Sequence, residues 1–120
     1  MLDGEQLNFA QQLPRGEAIA QLNDKLRKTA TGGRVMVTRG VLGLRGFDTA
    51  QLLKALAAYD RFDVNNDPHG ERDFGDLQLF GAELLWKIDY YDEHLEFGSN
   101  DPADPLVTTR VLTVMLDSEY

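Results

Sequence analysis

Residues 74–92, FGDLQLFGAELLWKIDYYD, limit the possible folds of this chain more than any other stretch. Apolar and polar residues alternate on both sides of a tight turn centred on Gly81, as in two antiparallel strands. With Gly81 as the first residue of a two-residue type II′ turn, Leu77 faces Trp86 and Asp76 faces Lys87. The sequence therefore predicts a β-hairpin with one apolar face, which other elements must cover.

Apolar spacing and turn residues predict the remaining elements. We expect a helix over Pro14–Ala30, a strand over Arg34–Leu44, a helix capped by Asp48, and a third hairpin strand over Leu95–Gly98. Residues 106–116 are rich in β-branched residues, which favours a last strand, although their apolar spacing also fits a helix. The predicted fold is α+β, with two helices packed on the apolar face of an antiparallel sheet of four or five strands.

The length of 120 residues predicts a single domain spanning 1–120, in which residues 1–13 lack periodicity and are expected to be loosely ordered. The chain has no cysteine, which excludes disulfides, thiolate zinc sites and cysteine nucleophiles. We expect no signal peptide, because the first residues have neither a basic region nor an apolar core. No apolar run approaches the roughly 20 residues that cross a bilayer, so we expect a cytoplasmic protein with no membrane partner.

Charge is divided unevenly along the chain. Residues 1–59 carry eight Lys and Arg against five Asp and Glu (+3), and residues 60–120 carry four against fifteen (−11), which gives the net −8. Nucleic-acid affinity depends on cationic contacts to phosphates, so the acidic half argues against direct nucleic-acid binding. It favours solubility, cation binding or a basic protein surface as the partner, and the acids could equally serve only to solvate a β-rich surface.

The loop NDPHGERDFG, residues 66–75, is rich in side chains that can take part in catalysis or bind a ligand. If the hairpin register continues outward, Asp73 lies opposite Tyr90, and Glu71 and His69 follow on the same face. These four side chains would converge at the rim of the apolar face, where partial burial raises a carboxyl pKa toward general acid–base use. Carboxylates with one histidine also suit Mg, Mn or Zn, with His69, Glu71 and Asp73 as metal ligands. The alternative is a structural loop, in which the same groups hydrogen-bond the backbone.

A second candidate is an acidic surface that bears a tyrosine, on and after the second hairpin strand. Its residues are Asp89, Tyr91, Asp92, Glu93, Glu96, Asp101 and Asp104. Such a surface could bind a basic protein, including the cationic groove of a nucleic-acid enzyme, or it could simply be a solvated sheet face. The chain has no phosphate-binding GxxxxGK loop, no HExxH pair and no nucleophile elbow.

The strings NDPHGERDFG, WKIDYYD and GSNDPADPLVTTRVLTVML, from about Gly33 to Tyr120, resemble bacterial domain-of-unknown-function family 3768. The resemblance implies a small bacterial intracellular protein that is often associated with plasmids or other mobile elements. It implies no established activity and no catalytic residues to carry over. In the family pattern a histidine stands where this chain has Arg72, which argues against a family-wide metal site at that position.

Two functions remain open from the sequence. The first is a non-enzymatic acidic interaction protein without a cofactor, which on a mobile element could act as an anti-defence factor against a nucleic-acid-handling host complex. The second is a small metal-dependent or acid–base hydrolase that uses His69, Glu71, Asp73 and Tyr90, with a divalent metal as its possible cofactor.

Overall fold

The structure, a computed structural model, describes residues 13–120. Its elements in chain order are α1 (Arg15–Thr29), β1 (Arg34–Val37), the one-turn helix α2 (Arg39–Leu42), α3 (Thr49–Ala58), β2 (Phe74–Leu79), β3 (Ala82–Tyr91), β4 (Thr109–Leu116) and a final 3₁₀ turn (Asp117–Glu119). The α+β class is confirmed. The prediction that residues 1–13 are loosely ordered falls, except for its last residue, outside the described part of the chain.

The four strands form one sheet in the order β1-β4-β3-β2. β3 pairs antiparallel with both β2 and β4, whereas β1 pairs parallel with β4. The segment that could have been strand or helix is therefore a strand, and the prediction of a purely antiparallel sheet was wrong. The two parallel strands lie at one side of the sheet and are joined by a crossover that includes α2, α3 and the β2–β3 hairpin.

The hairpin forms, but its turn lies one residue earlier than predicted. Phe80 and Gly81 occupy the two central positions with φ of 56° and 72°, as in a type I′ turn. Leu77 consequently faces Leu84 rather than Trp86. Because the register moved by two residues, each side chain kept its predicted face.

The new register also changes the residues beyond the hairpin. The amide of Ile88 donates to the carbonyl of Asp73 (2.8 Å), which places Asp73 beside Ile88. The prediction that Asp73 lies opposite Tyr90 was wrong. In the observed register Tyr90 lies next to Glu71.

The helices cover one face of the sheet only in part. α1 contacts β4, but α3 packs mainly against α1, so the prediction of two helices packed directly on the sheet was wrong. Side chains from both helices and from three strands nevertheless share one core, whose fully buried members include Leu26, Leu56, Trp86 and Val114.

Arg27 holds α1 and α3 together. Its side chain is almost completely buried, and Nη1 donates to the carbonyls of Leu56 and Tyr59, both at 2.8 Å. These carbonyls lie at the C-terminus of α3, where a helix leaves backbone acceptors without intrahelical partners. The guanidinium also lies 5.3 Å from the ring centre of Phe62. Arg27 therefore supplies the C-terminal cap of a neighbouring helix.

The predicted strand over Arg34–Leu44 ends early, at Val37. Thr38 caps α2 and accepts from the amide of Val41 (3.4 Å), so a helical turn begins where the strand was expected to continue. A Cβ on Gly40 would lie 2.7 Å from the Leu116 side chain, so glycine allows α2 to pack against the end of β4.

The predicted strand over Leu95–Gly98 is absent from the described structure, which has only one bridge here, between Tyr91 and Gly98. Asp92 instead accepts from the amides of His94 (3.1 Å) and Glu96 (3.0 Å), which bends the chain into a turn. Over residues 13–120, no helix has the length and apolar character needed to cross a membrane.

Candidate functional site

Arg72 fixes the NDPHGERDFG loop to α1. Its Nη2 lies 2.9 Å from Asp24 Oδ2 and 3.1 Å from Glu17 Oε2, and Asp67 accepts from its backbone amide (3.0 Å). The hydrogen bond to Asp24 is the main cause of a raised Arg72 pKa. Arg72 has φ of 53°, a left-handed conformation that costs a non-glycine residue about 1 kcal/mol or more. The ion pairs hold the loop in place despite this strain.

Asn23 joins the loop to the sheet through three hydrogen bonds. Its Nδ2 donates to the Tyr90 hydroxyl (2.8 Å) and to the Glu71 carbonyl (3.0 Å). Its Oδ1 accepts from Nε of Arg110 (2.9 Å). Nη2 of Arg110 also donates to the Pro102 carbonyl. The Tyr90 hydroxyl donates in turn to Glu71 Oε1 (2.8 Å). Asn23 and Arg110 are buried, so this polar network lies between α1 and the end of the sheet.

Burial changes how the ionisable groups of this network titrate. Burial raises the pKa of Asp73, and the negative charge of Glu71 raises it further. Burial also raises the pKa of the Tyr90 hydroxyl, which therefore stays protonated as a donor, and it lowers the pKa of Arg110. The raised pKa of Asp73 means that this carboxyl keeps its proton to a higher pH than an exposed one does, which suits a general acid or base.

The four predicted residues converge only in part. Glu71 and Tyr90 are in direct contact, and Asp73 lies close enough to Glu71 and His69 for electrostatic interactions with them to affect its pKa. His69 itself is exposed. Within residues 13–120, no three His, Cys, Asp or Glu side chains are arranged to hold a metal ion, so the structure does not bring His69, Glu71 and Asp73 together as a three-ligand set.

The predicted acidic surface is mostly a single loop, residues 92–108, which we call the acidic loop. It contains five Asp and Glu and no Lys or Arg. Asp92 accepts two backbone amides, and these hydrogen bonds lower its pKa. Asp101 pairs with Arg15 (2.7 Å), and Asp104 accepts from the amide of Leu106 (2.9 Å). These three carboxylates give the loop a fixed shape.

The other members of the predicted surface differ in their environment. Asp89 forms an ion pair with Lys87, and Tyr91 is partly buried beside it on β3. Glu93 and Glu96 are exposed, and neither carboxylate forms a hydrogen bond or ion pair with the described residues. Of the predicted carboxylates, Glu93 and Glu96 are therefore the most available to a partner.

The acidic loop also exposes large apolar side chains. Phe97 is 71% exposed and Leu106 87%, and Leu95 and Val107 are exposed to a lesser extent. Apolar groups rimmed by charged ones are typical of interaction sites. This exposure was not predicted, because a strand over Leu95–Gly98 would have placed Leu95 and Phe97 on the apolar face of the sheet.

An open hollow of the described structure lies away from the polar network. It is an open depression of about 520 Å³ at the β2–β3 turn, lined by residues 78–83. A second, smaller hollow also lies on this hairpin, next to Asp117. Neither is lined by Glu71, Asp73 or Tyr90, so they give the network no substrate pocket.

Asn23 and Arg27 were missed as functional or structural centres. The apolar residues Ile19, Leu22 and Leu26 mark only a narrow stripe on α1, whereas the buried face is formed by Ile19, Ala20, Asn23, Leu26 and Arg27. The signal was present, because Asn23 and Arg27 follow Ile19 at successive intervals of four residues. Hydropathy alone assigns polar residues to the exposed face of a helix, so it did not predict that Asn23 and Arg27 are buried.

Comparison with known protein families gives one match. The pattern of the family described as "Protein of unknown function (DUF3768)" matches residues 37–119. The chain belongs to this family. The match confirms the resemblance to family 3768. It begins at the end of β1 and leaves out α1. No curated protein and no solved structure matches the chain.

Proposed function

We propose that this protein is a non-enzymatic binding protein whose acidic loop docks on a cationic protein surface. The observation that carries the proposal is the exposure of Phe97 and Leu106 in a loop with five carboxylates and no Lys or Arg. Apolar contacts would supply affinity, and the carboxylates would select a basic partner and speed its association.

The shape of the acidic loop supports this role. Its first turn is fixed by Asp92, and the hydroxyls of Ser99 and Thr108 join the middle of the loop to its end (2.6 Å). Arg110 holds its middle through the Pro102 carbonyl. A loop held in this way loses little conformational entropy on binding, which favours affinity.

A narrower form of the proposal names the partner as a nucleic-acid-handling protein. Such proteins carry cationic grooves for phosphates, and residues 60–120 of this chain carry fifteen Asp and Glu. An anti-defence role on a bacterial mobile element is narrower still, and its support is the association that the family resemblance implies.

Binding to a panel of purified cationic nucleic-acid-binding proteins tests the proposal. We expect binding that weakens as salt is added, and that is reduced by Glu93→Gln/Glu96→Gln and by Phe97→Ser/Leu106→Ser. The matched control is Asp60→Asn/Asp117→Asn, which changes the net charge equally at exposed positions outside the loop.

Two results would contradict this proposal. One is that no panel member binds in a salt-dependent manner. The other is that the control double variant weakens binding as much as the loop variants do, since net charge alone would then explain the effect.

A second candidate is an acid–base enzyme using Glu71, Asp73 and Tyr90. The hydrogen bond from Tyr90 to Glu71 and the raised pKa of Asp73 favour it. If Asp73 acted on a substrate, Asp73→Asn would abolish turnover and leave substrate binding largely intact. A panel of hydrolase substrates on which wild type and Asp73→Asn behave alike would reject it.

A further inference from the structure

The segment 34–45, RVMVTRGVLGLR, which we call the cationic segment, is the chemical opposite of the acidic loop. It contains three arginines, Arg34, Arg39 and Arg45, and no Asp or Glu. All three are exposed, and none forms an ion pair with the described residues. Met36 and Leu42 in the same segment are each 52% exposed. The segment therefore presents unpaired cations together with apolar side chains.

The cationic segment is held rigidly on the fold. β1 pairs with β4 along its whole length, and Thr38 caps α2. One carboxylate, Glu119, reaches the segment, but it accepts from the Thr38 hydroxyl and the Leu116 amide (both 2.7 Å). Glu119 thus fixes the segment and leaves the arginines unpaired.

We propose that the cationic segment of one copy docks on the acidic loop of a second copy, so that copies associate head to tail. The two surfaces match in charge, and each carries exposed apolar side chains. No ion pair joins them within the described part of one molecule, so both remain available to another copy. The inference uses the loop assigned above and therefore rests on the proposed function.

A second copy fits the cationic segment better than a nucleic acid does. Phosphate recognition needs cations, and exposed Met36 and Leu42 would add nothing to it. The acidic loop supplies apolar partners for both. Because the two surfaces differ, the contact is heterologous, and an assembly that does not close into a ring has a free surface of each kind at its ends. A separate cationic protein would compete for the same loop.

Sedimentation velocity over a range of protein concentrations tests the inference. At low salt we expect the average mass to rise with concentration. At about 1 M salt, where the Debye length falls to about 3 Å, we expect monomer over the same range. Wild type that stays monomeric at all concentrations in low salt overturns the inference. An oligonucleotide that binds this monomer would assign the cationic segment to nucleic acid instead.

Charge reversal makes the test specific. Glu93→Lys/Glu96→Lys and Arg39→Glu/Arg45→Glu should each raise the dissociation constant about tenfold or more, because like charges would then face each other. An equimolar mixture of the two variants should associate, since the opposite charges meet again between unlike copies. The matched control for the arginine variant is Lys28→Glu/Lys54→Glu, an equal charge change at exposed positions, which should associate like wild type. A mixture that stays monomeric, or a control that also dissociates, overturns the inference.

Failure here is distinguishable from failure of the proposed function. A chain that stays monomeric but binds cationic proteins through Glu93 and Glu96 refutes self-association alone. A chain that self-associates but binds none of the cationic panel refutes the proposed function alone.

Discussion

Replacing Asn23 by leucine tests whether the polar network stabilises the fold. The two side chains have the same number and branching of heavy atoms, but Asn23→Leu leaves Nε of the buried Arg110 and the carbonyl of Glu71 without their partner. Each such group costs about 2 kcal/mol, and burying leucine returns about 2 kcal/mol. We therefore expect the free energy of unfolding to fall by about 2 kcal/mol, which lowers the Tm by roughly 10 °C in a domain of this size.

Urea denaturation followed by tryptophan fluorescence measures this loss, because Trp86 is fully buried in the core. The matched control is Asn65→Leu, an exposed site, where the free energy should stay within about 0.5 kcal/mol of wild type. A double-mutant cycle with Tyr90→Phe should show a coupling above about 0.5 kcal/mol, since Asn23 donates to that hydroxyl. If Asn23→Leu is as harmless as the control, or the two changes are additive, the reasoning is refuted.

Three further predictions follow from single sites. Gly75→Ala should destabilise the fold by about 3 kcal/mol in urea denaturation, because the added Cβ would lie 2.5 Å from Nε1 of Trp86. The control Gly43→Ala should cost far less, because the nearest atom to its added Cβ lies 3.4 Å away. The pKa of Asp73 is raised in the fold, so its ionised form destabilises the fold above the unfolded pKa. Asp73→Asn should therefore raise the Tm at pH 7. A gain in Tm that persists at pH 3 would contradict this. The pKa of Glu119 is lowered in the fold, chiefly by the hydrogen bond from the Leu116 amide, so Glu119→Gln should lower the Tm at pH 7. The difference in Tm from wild type should vanish as the pH falls through the folded pKa of Glu119. Equal losses of Tm at acid and neutral pH would argue against an ionic contribution.

The sequence predicted the faces of the hairpin better than its turn. Alternation determines which side chains are buried together, and it survives any shift of two residues. The observed turn requires a positive φ at Phe80, a conformation that a non-glycine residue disfavours. The contact of Phe80 with Phe47 (5.5 Å between ring centres) offsets this cost. Local residue preferences could not reveal that contact, because the two residues are distant in sequence.

The candidate site was predicted in its chemistry but not in its connections. The proximity of Glu71 and Tyr90 followed from continuing the strand, although the predicted pair was Asp73 and Tyr90. The role of Asn23 was not predictable from hydropathy, because a buried polar residue is stable only when partners from other elements satisfy it. Likewise, a turn stands where a strand was predicted after Asp92, because the Asp92 side chain accepts hydrogen bonds from two backbone amides. The alternation of apolar and polar residues does not indicate such hydrogen bonds.

The capping of α3 by Arg27 means that the family match and the folding unit have different boundaries. The match begins at residue 37, yet the acceptors at the end of α3 are satisfied by a side chain that precedes it. A fragment restricted to the matched residues would lose this cap and expose the core that Leu26 covers. Amides of α1 and α3 should accordingly exchange with solvent through one shared opening, as parts of a single cooperative unit.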